Sequence, residues 1–205
     1  MVGAENLPRR RIGMVVVSNH DDVWNFMAEL FAVFAIITTY RQLFFHPITS
    51  APWFTPDEVN FMKKWWWRVW LWSRAVPARR VKGNRGVKES RKMRSVLEGN
   101  GVIFTQPEGG RTRNGRDFQY SKSGQAKIRP LRNYVGWLQS PVLLLWVEDG
   151  REKQPTKKLF GFPNFRSRMV VVVGRLMHPG DMDAGEFTAA LAEGLLELAD
   201  RAGKV

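Results

Sequence analysis

The 205-residue chain contains no cysteine. That absence excludes disulfide frameworks, thiolate zinc sites and cysteine nucleophiles, and it leaves the compartment open with the cytoplasm favoured. Long apolar runs are missing as well. The longest candidate, residues 26–39, is interrupted by Glu29 and falls short of the roughly 18 apolar residues that a membrane-spanning helix needs, so a peripheral protein is implied. Arg9, Arg10 and Arg11 are followed by only a short apolar run ending at Ser18, which lacks the stretch of a secretory signal and reads as part of the fold. Acidic residues are in deficit. Nineteen Asp and Glu stand against 32 Lys and Arg, a formal charge of +13 that attracts nucleic acid, anionic lipid or phosphorylated substrates. Tyrosine is scarce, with three against nine Trp and thirteen Phe, and this balance favours lipid over nucleic acid, because Trp is enriched where an apolar body meets a wet headgroup layer.

What is present is globular: 44% of residues are hydrophobic and 25% charged, which argues against wholesale disorder. The length fits one domain able to bury its own core, taken here as residues 1–205. Short apolar runs rich in β-branched residues predict buried strands at 12–17, 102–105, 142–147 and 169–173. Helical patterns fall between and after them at 22–30, 87–97, 124–138 (where Pro130 must interrupt or kink the helix) and 186–199. Strands alternating with helices predict an α/β architecture, a central mostly parallel or mixed sheet flanked by helices.

Residues 60–72 form a distinct pattern. At helical spacing Trp65, Trp66, Trp70 and Trp72 share a broad face with Phe61, Met62 and Val69, while Lys63, Lys64 and Arg68 occupy the other, on which Trp67 and Leu71 intrude. Such a helix suits a membrane interface, its cations meeting anionic headgroups; the competing interpretation is a core helix rich in tryptophan.

Two segments carry candidate chemistry. Ser18-Asn19-His20-Asp21-Asp22 stands where the first strand gives way to a helix, the end of an α/β sheet at which ligands bind. His20 is there a general base or a hydrogen-bonded histidine of a helix cap, and Asp21 and Asp22 suit capping in either case. His46 and His178 have no second ligand type nearby in sequence and are taken as structural. The second segment is 106–115, Gln-Pro-Glu-Gly-Gly-Arg-Thr-Arg-Asn-Gly, directly after a predicted strand. Paired glycines permit close backbone approach and Arg111 and Arg113 offer forked donors for phosphate; alternatively this is a tight turn with solvated arginines.

In their order and separation these segments resemble the glycerolipid acyltransferases, the family that includes 1-acylglycerol-3-phosphate acyltransferase. The resemblance runs over nearly the whole chain. Gly3-Ala4-Glu5-Asn6-Leu7-Pro8 resembles the entry to the family's first strand, and Ser18-Asn19-His20 its catalytic histidine motif. Ala75-Val76-Pro77-Ala78-Arg79-Arg80 looks like the second motif, ending in a phosphate-binding arginine. Pro107-Glu108-Gly109-Gly110-Arg111 with Asn114-Gly115 looks like the third, followed by Lys122-Ser123-Gly124. Pro141 with 142–147 resembles the fourth, and 168–174, His178-Pro179 and a last helix resemble the closing segment.

The resemblance implies acyl transfer from acyl-coenzyme A or acyl carrier protein to the hydroxyl of a lysophospholipid or glycerol-phosphate-type acceptor at a membrane surface. His20 would be the base, Arg80, Glu108, Gly109, Gly110, Arg111 and Lys122 the substrate site, and no metal or other cofactor is implied. The expected location is cytoplasmic and peripheral, on the inner face of a membrane. Many relatives carry additional anchoring helices at the N-terminus; this chain is expected to open directly on the core, as a truncated piece or a short form.

The sequence also departs from the pattern. Five residues after the histidine the family has an Asp, and here Asn25 stands there. An amide can still fix the tautomer of the ring but lacks the charge that favours imidazolium, so Asp22 or Asp21 must supply it, or Asn25 must suffice, or the chain is a catalytically impaired lipid- or membrane-binding relative. Gln106 stands where the family has an apolar residue and Gly110 where it has Thr.

Overall fold

The computed structural model describes residues 1–8, 12–19, 53–54, 86–105, 139–149 and 169–204. Within them lie five strands, β1 (Met14–Ser18), β2 (Trp53–Phe54), β3 (Val102–Thr105), β4 (Val142–Asp149) and β5 (Met169–Met177), two α-helices, α1 (Gly86–Glu98) and α2 (Ala184–Ala202), and a short 3-10 helix, Ala4–Asn6. The strands form a single mixed sheet in the order β2-β3-β1-β4-β5. β1, β2, β3 and β4 are mutually parallel, and β5 runs antiparallel to β4.

The apolar runs explain this arrangement. Strands without alternation of polar and apolar residues have no face to offer water and belong inside a parallel sheet covered on both sides. All five residues of β1 are buried, as are Leu143 to Val147 of β4. Successive residues then divide between two cores. Val15, Val17, Ile103, Val142, Leu144, Trp146 and Val172 face one side, together with Met93 and Leu97 of α1 and the apolar face of α2. Met14, Val16, Phe104, Leu143, Leu145 and Val173 face the other, with Leu7.

α2 lies over β4 and β5 through Phe187, Leu191, Leu195 and Leu198, a spacing of four, four and three that keeps them on one stripe. Each such side chain contributes about 1.5–3 kcal/mol on leaving water. The helix sits close: a Cβ at Gly194 would stand 2.6 Å from Leu144 Cδ1. It begins at Ala184, ahead of the expected 186, because Asp183 and Glu186 form a capping box. Asp183 Oδ1 accepts from the backbone N–H groups of Gly185 and Glu186, and Glu186 Oε2 accepts from the N–H of Asp183.

α1 ends in a Schellman motif. Gly101 N–H donates to Val96 O and Asn100 N–H to Leu97 O, with Asn100 at φ 55°. This turns the chain directly into β3 and brings the C-terminal end of α1 against the start of β1, where a Cβ at Gly13 would collide with Leu97 O. β5 runs beyond the expected 169–173. Leu143 pairs with Leu176 and Leu145 with Val173, so Gly174 and Arg175 both oppose Leu144 in a bulge that carries the strand on to Met177. The outer edge of β5 is capped by the N-terminus: Val2 bridges Val172, and Asn6 Nδ2 donates to Val173 O. Among the described residues no helix is long and apolar enough to cross a membrane. The expected helices at 22–30, 60–72 and 124–138 lie outside the described residues.

Candidate active site

Parallel pairing fixes which sequence segments leave the sheet together. β1 and β3 are neighbours, Val17 pairs with Thr105, and each strand stops within a residue of that pair. Their ends therefore stand one strand spacing apart, about 4.8 Å. The histidine segment follows one end and the Gln106-Pro107-Glu108-Gly109-Gly110-Arg111 segment follows the other. β1 is central, with β3 on one side and β4 on the other, so its carboxyl end opens between two neighbours, where α/β sheets take their ligands.

α1 adds a third segment. Its C-terminal end is tied to the amino-terminal edge of the sheet by the turn into β3, and Lys92 Nζ lies 4.7 Å from the centre of the Trp53 ring on β2. The helix consequently runs back towards the carboxyl edge, and from Leu97 to Gly86 it covers about 16 Å. Arg80 precedes Gly86 by six residues. β2 ends at the same edge, six residues before the Trp-rich segment begins at position 60.

The end of β1 is held by a side chain. Asn19 is fully buried, and its amide makes two bonds to one residue of β4: Val147 N–H donates to Asn19 Oδ1 at 2.8 Å, and Asn19 Nδ2 donates to Val147 O at 3.0 Å. Ser18 Oγ, also buried, donates to the backbone oxygen of Asn19 at 3.1 Å. These are satisfied polar groups in an apolar interior, as burial requires. Neither residue was assigned a role from sequence beyond membership of the motif. The hint available there was a short polar residue ending an apolar strand, a pattern that turns share.

All the side chains assigned from sequence lie outside the described residues: His20, Asp22 and Asn25; Lys63, Lys64, Trp65, Trp66 and Trp70; Arg80; Glu108, Gly109, Gly110 and Arg111; and Lys122. What the structure describes is the frame from which three of these segments start. His178, just past β5, is exposed.

In fold the sheet and its helices are similar to those of a solved acyltransferase. The chain is similar in structure to the 1-acyl-sn-glycerophosphate (LPA) acyltransferase PlsC from Thermotoga maritima, with a TM-score of 0.56 over 99% of this chain and 70% of that one, at 14% identity. No family model matches the chain, and no curated protein matches it by sequence.

Proposed function

We propose that this chain is an acyltransferase of the glycerolipid type, moving an acyl group from acyl-coenzyme A or acyl carrier protein to the hydroxyl of a lysophospholipid or glycerol-phosphate-type acceptor. The observation that carries the proposal is the register of β1 and β3, whose carboxyl ends stand side by side and lead into the histidine segment and the arginine-glycine segment. The fold likeness to an LPA acyltransferase supports it at the level of architecture.

In this reading His20 takes the proton of the acceptor hydroxyl as its oxygen attacks the thioester carbonyl. The tetrahedral intermediate collapses, the C–S bond breaks, and the imidazolium returns its proton to the departing thiolate. Arg80 and Arg111 hold the phosphate end of the acceptor, which turns the encounter into an oriented, effectively unimolecular step. Glu108 orients an arginine or accepts from the acceptor's alcohol, and a backbone N–H of the Gly109-Gly110 segment donates to the developing oxyanion. Lys122 adds positive charge to the same acceptor site.

The phosphate assignment is tested by comparing lysophosphatidate with monoacylglycerol as acceptor. Wild type is expected to acylate lysophosphatidate far better. Arg111→Ala and Arg80→Ala are expected to raise KM for lysophosphatidate by about tenfold or more, the scale of one lost charge-assisted bond, and to leave the poor acceptor unaffected. Equal use of both acceptors by wild type would remove the phosphate site from the proposal.

Asn25 motivates a second reading, a lipid-binding relative that has lost turnover. Binding to anionic vesicles with no acyl transfer from any donor is its signature.

A further inference from the structure

The β1/β4 register shows what the Asn19 side chain replaces. Ser18 is opposite Leu145, so a strand continued by two residues would set residue 20 opposite Val147. In a parallel ladder, Val147 N–H would then be met by the backbone oxygen of residue 19, and Val147 O by the N–H of residue 21. Both Val147 groups are bonded to a side chain instead. The Asn19 amide already occupies both Val147 groups, accepting from the one and donating to the other. The backbone oxygen of Asn19, which the ladder would have used, accepts from Ser18 Oγ instead. The side chain thus stands in for the peptide units of the next two residues, and β1 ends at Ser18 although Val147 is in place to extend it.

From this geometry, and resting on the catalytic role proposed for His20, we infer that Asn19 is a positioning residue. Its amide stops the ladder at Ser18 and clamps to β4 the residue that directly precedes the base. The clamp is rigid for physical reasons. Both of its bonds are buried at no exposure, where an unpaired backbone group on Val147 would be costly. A primary amide is also the side chain that presents a donor and an acceptor side by side, as a peptide does. Aspartate keeps the acceptor but loses the donor, and it sets a carboxylate against the Val147 carbonyl.

The test compares wild type, Asn19→Ala and Asn19→Asp by steady-state acyl transfer and by NMR of the His20 ring, with the methyl signals of Leu191 and Leu195 as a report on the remote core. For folded variants the expectation is a fall in kcat of about a hundredfold with KM for the acceptor little changed, because misplacing a catalytic group by about 1 Å costs that much. The His20 ring signals should move while the methyl signals stay. Variants that melt at lower temperature yet keep the wild-type kcat and ring signals would show that Asn19 serves stability only and would overturn the inference. If wild type itself transfers no acyl group, the acyltransferase reading fails by itself and the ring signals still decide the role of Asn19. If neither variant folds, amide hydrogen exchange at Val147 in wild type decides: protection like that of Leu143 supports the clamp, and free exchange contradicts it.

Discussion

Under the proposed mechanism, Asn25 is where a single residue bears most on chemistry. An amide at that position can accept a hydrogen bond from an imidazole but cannot offset the positive charge that the ring acquires when it takes a proton. In serine proteases the comparable Asp-to-Asn change costs about 10⁴ in rate. Asn25→Asp is therefore expected to raise kcat by at least about tenfold, read from the steady-state rate of thiol release. An unchanged rate would assign the compensating charge to Asp21 or Asp22. Legibility at this scale was uneven. His20 and Arg111 stand out in the sequence because their side chains are chemically distinctive and follow predicted strand ends. Asn19 does not, because its partner Val147 is 128 positions away and the bonds go to backbone atoms, which leave no mark on residue identity.

At the scale of elements, the sequence was most informative where apolar runs have sharp ends. β3 occupies 102–105 as expected, bounded by Gly101 on one side. β5 was underestimated because Gly174 and Arg175 break its apolar run; a bulge absorbs both and lets Leu176 and Met177 rejoin the ladder. β2 was missed, since two residues carry no periodicity and Trp53 and Phe54 are recruited only by pairing with Ile103 and Phe104. Apolar periodicity starts α2 at 186, two residues late, because the capping box from Asp183 to Glu186 sets the first turn with polar residues that carry no apolar signal. Asp183→Ala should cost about 1 kcal/mol, the usual worth of an N-cap, and lower the melting temperature by about 2–4 °C. Gly13→Ala should cost more, about 1–3 kcal/mol, because the added Cβ would meet the backbone of Leu97 rather than a side chain able to swing away. Thermal melts of the two variants against wild type check both values, and a Gly13→Ala protein as stable as wild type would contradict the close approach of α1 to β1.

For the whole molecule, topology does what no local pattern could announce. The α/β class was legible from alternating strand and helix patterns, but the order β2-β3-β1-β4-β5 depends on pairings between residues far apart in sequence. That order is what leads the segments of His20 and Arg111 away from adjacent strands. The net charge of +13 and the Trp-rich segment around Lys63, Lys64, Trp65, Trp66 and Trp70 support a proposal of membrane docking. Binding to anionic vesicles is expected to fall as salt rises from 0.05 to 0.5 M by about tenfold or more, and replacing Trp65 and Trp66 by Ala should weaken it at every salt concentration. Co-sedimentation measures both, and salt-independent binding would remove the electrostatic part. The most direct measurement for the central claim is thiol release from an acyl thioester in the presence of lysophosphatidate, wild type against His20→Ala. The account predicts steady turnover by wild type and a loss of about a hundredfold or more in the variant. Equal release by the two proteins would contradict it.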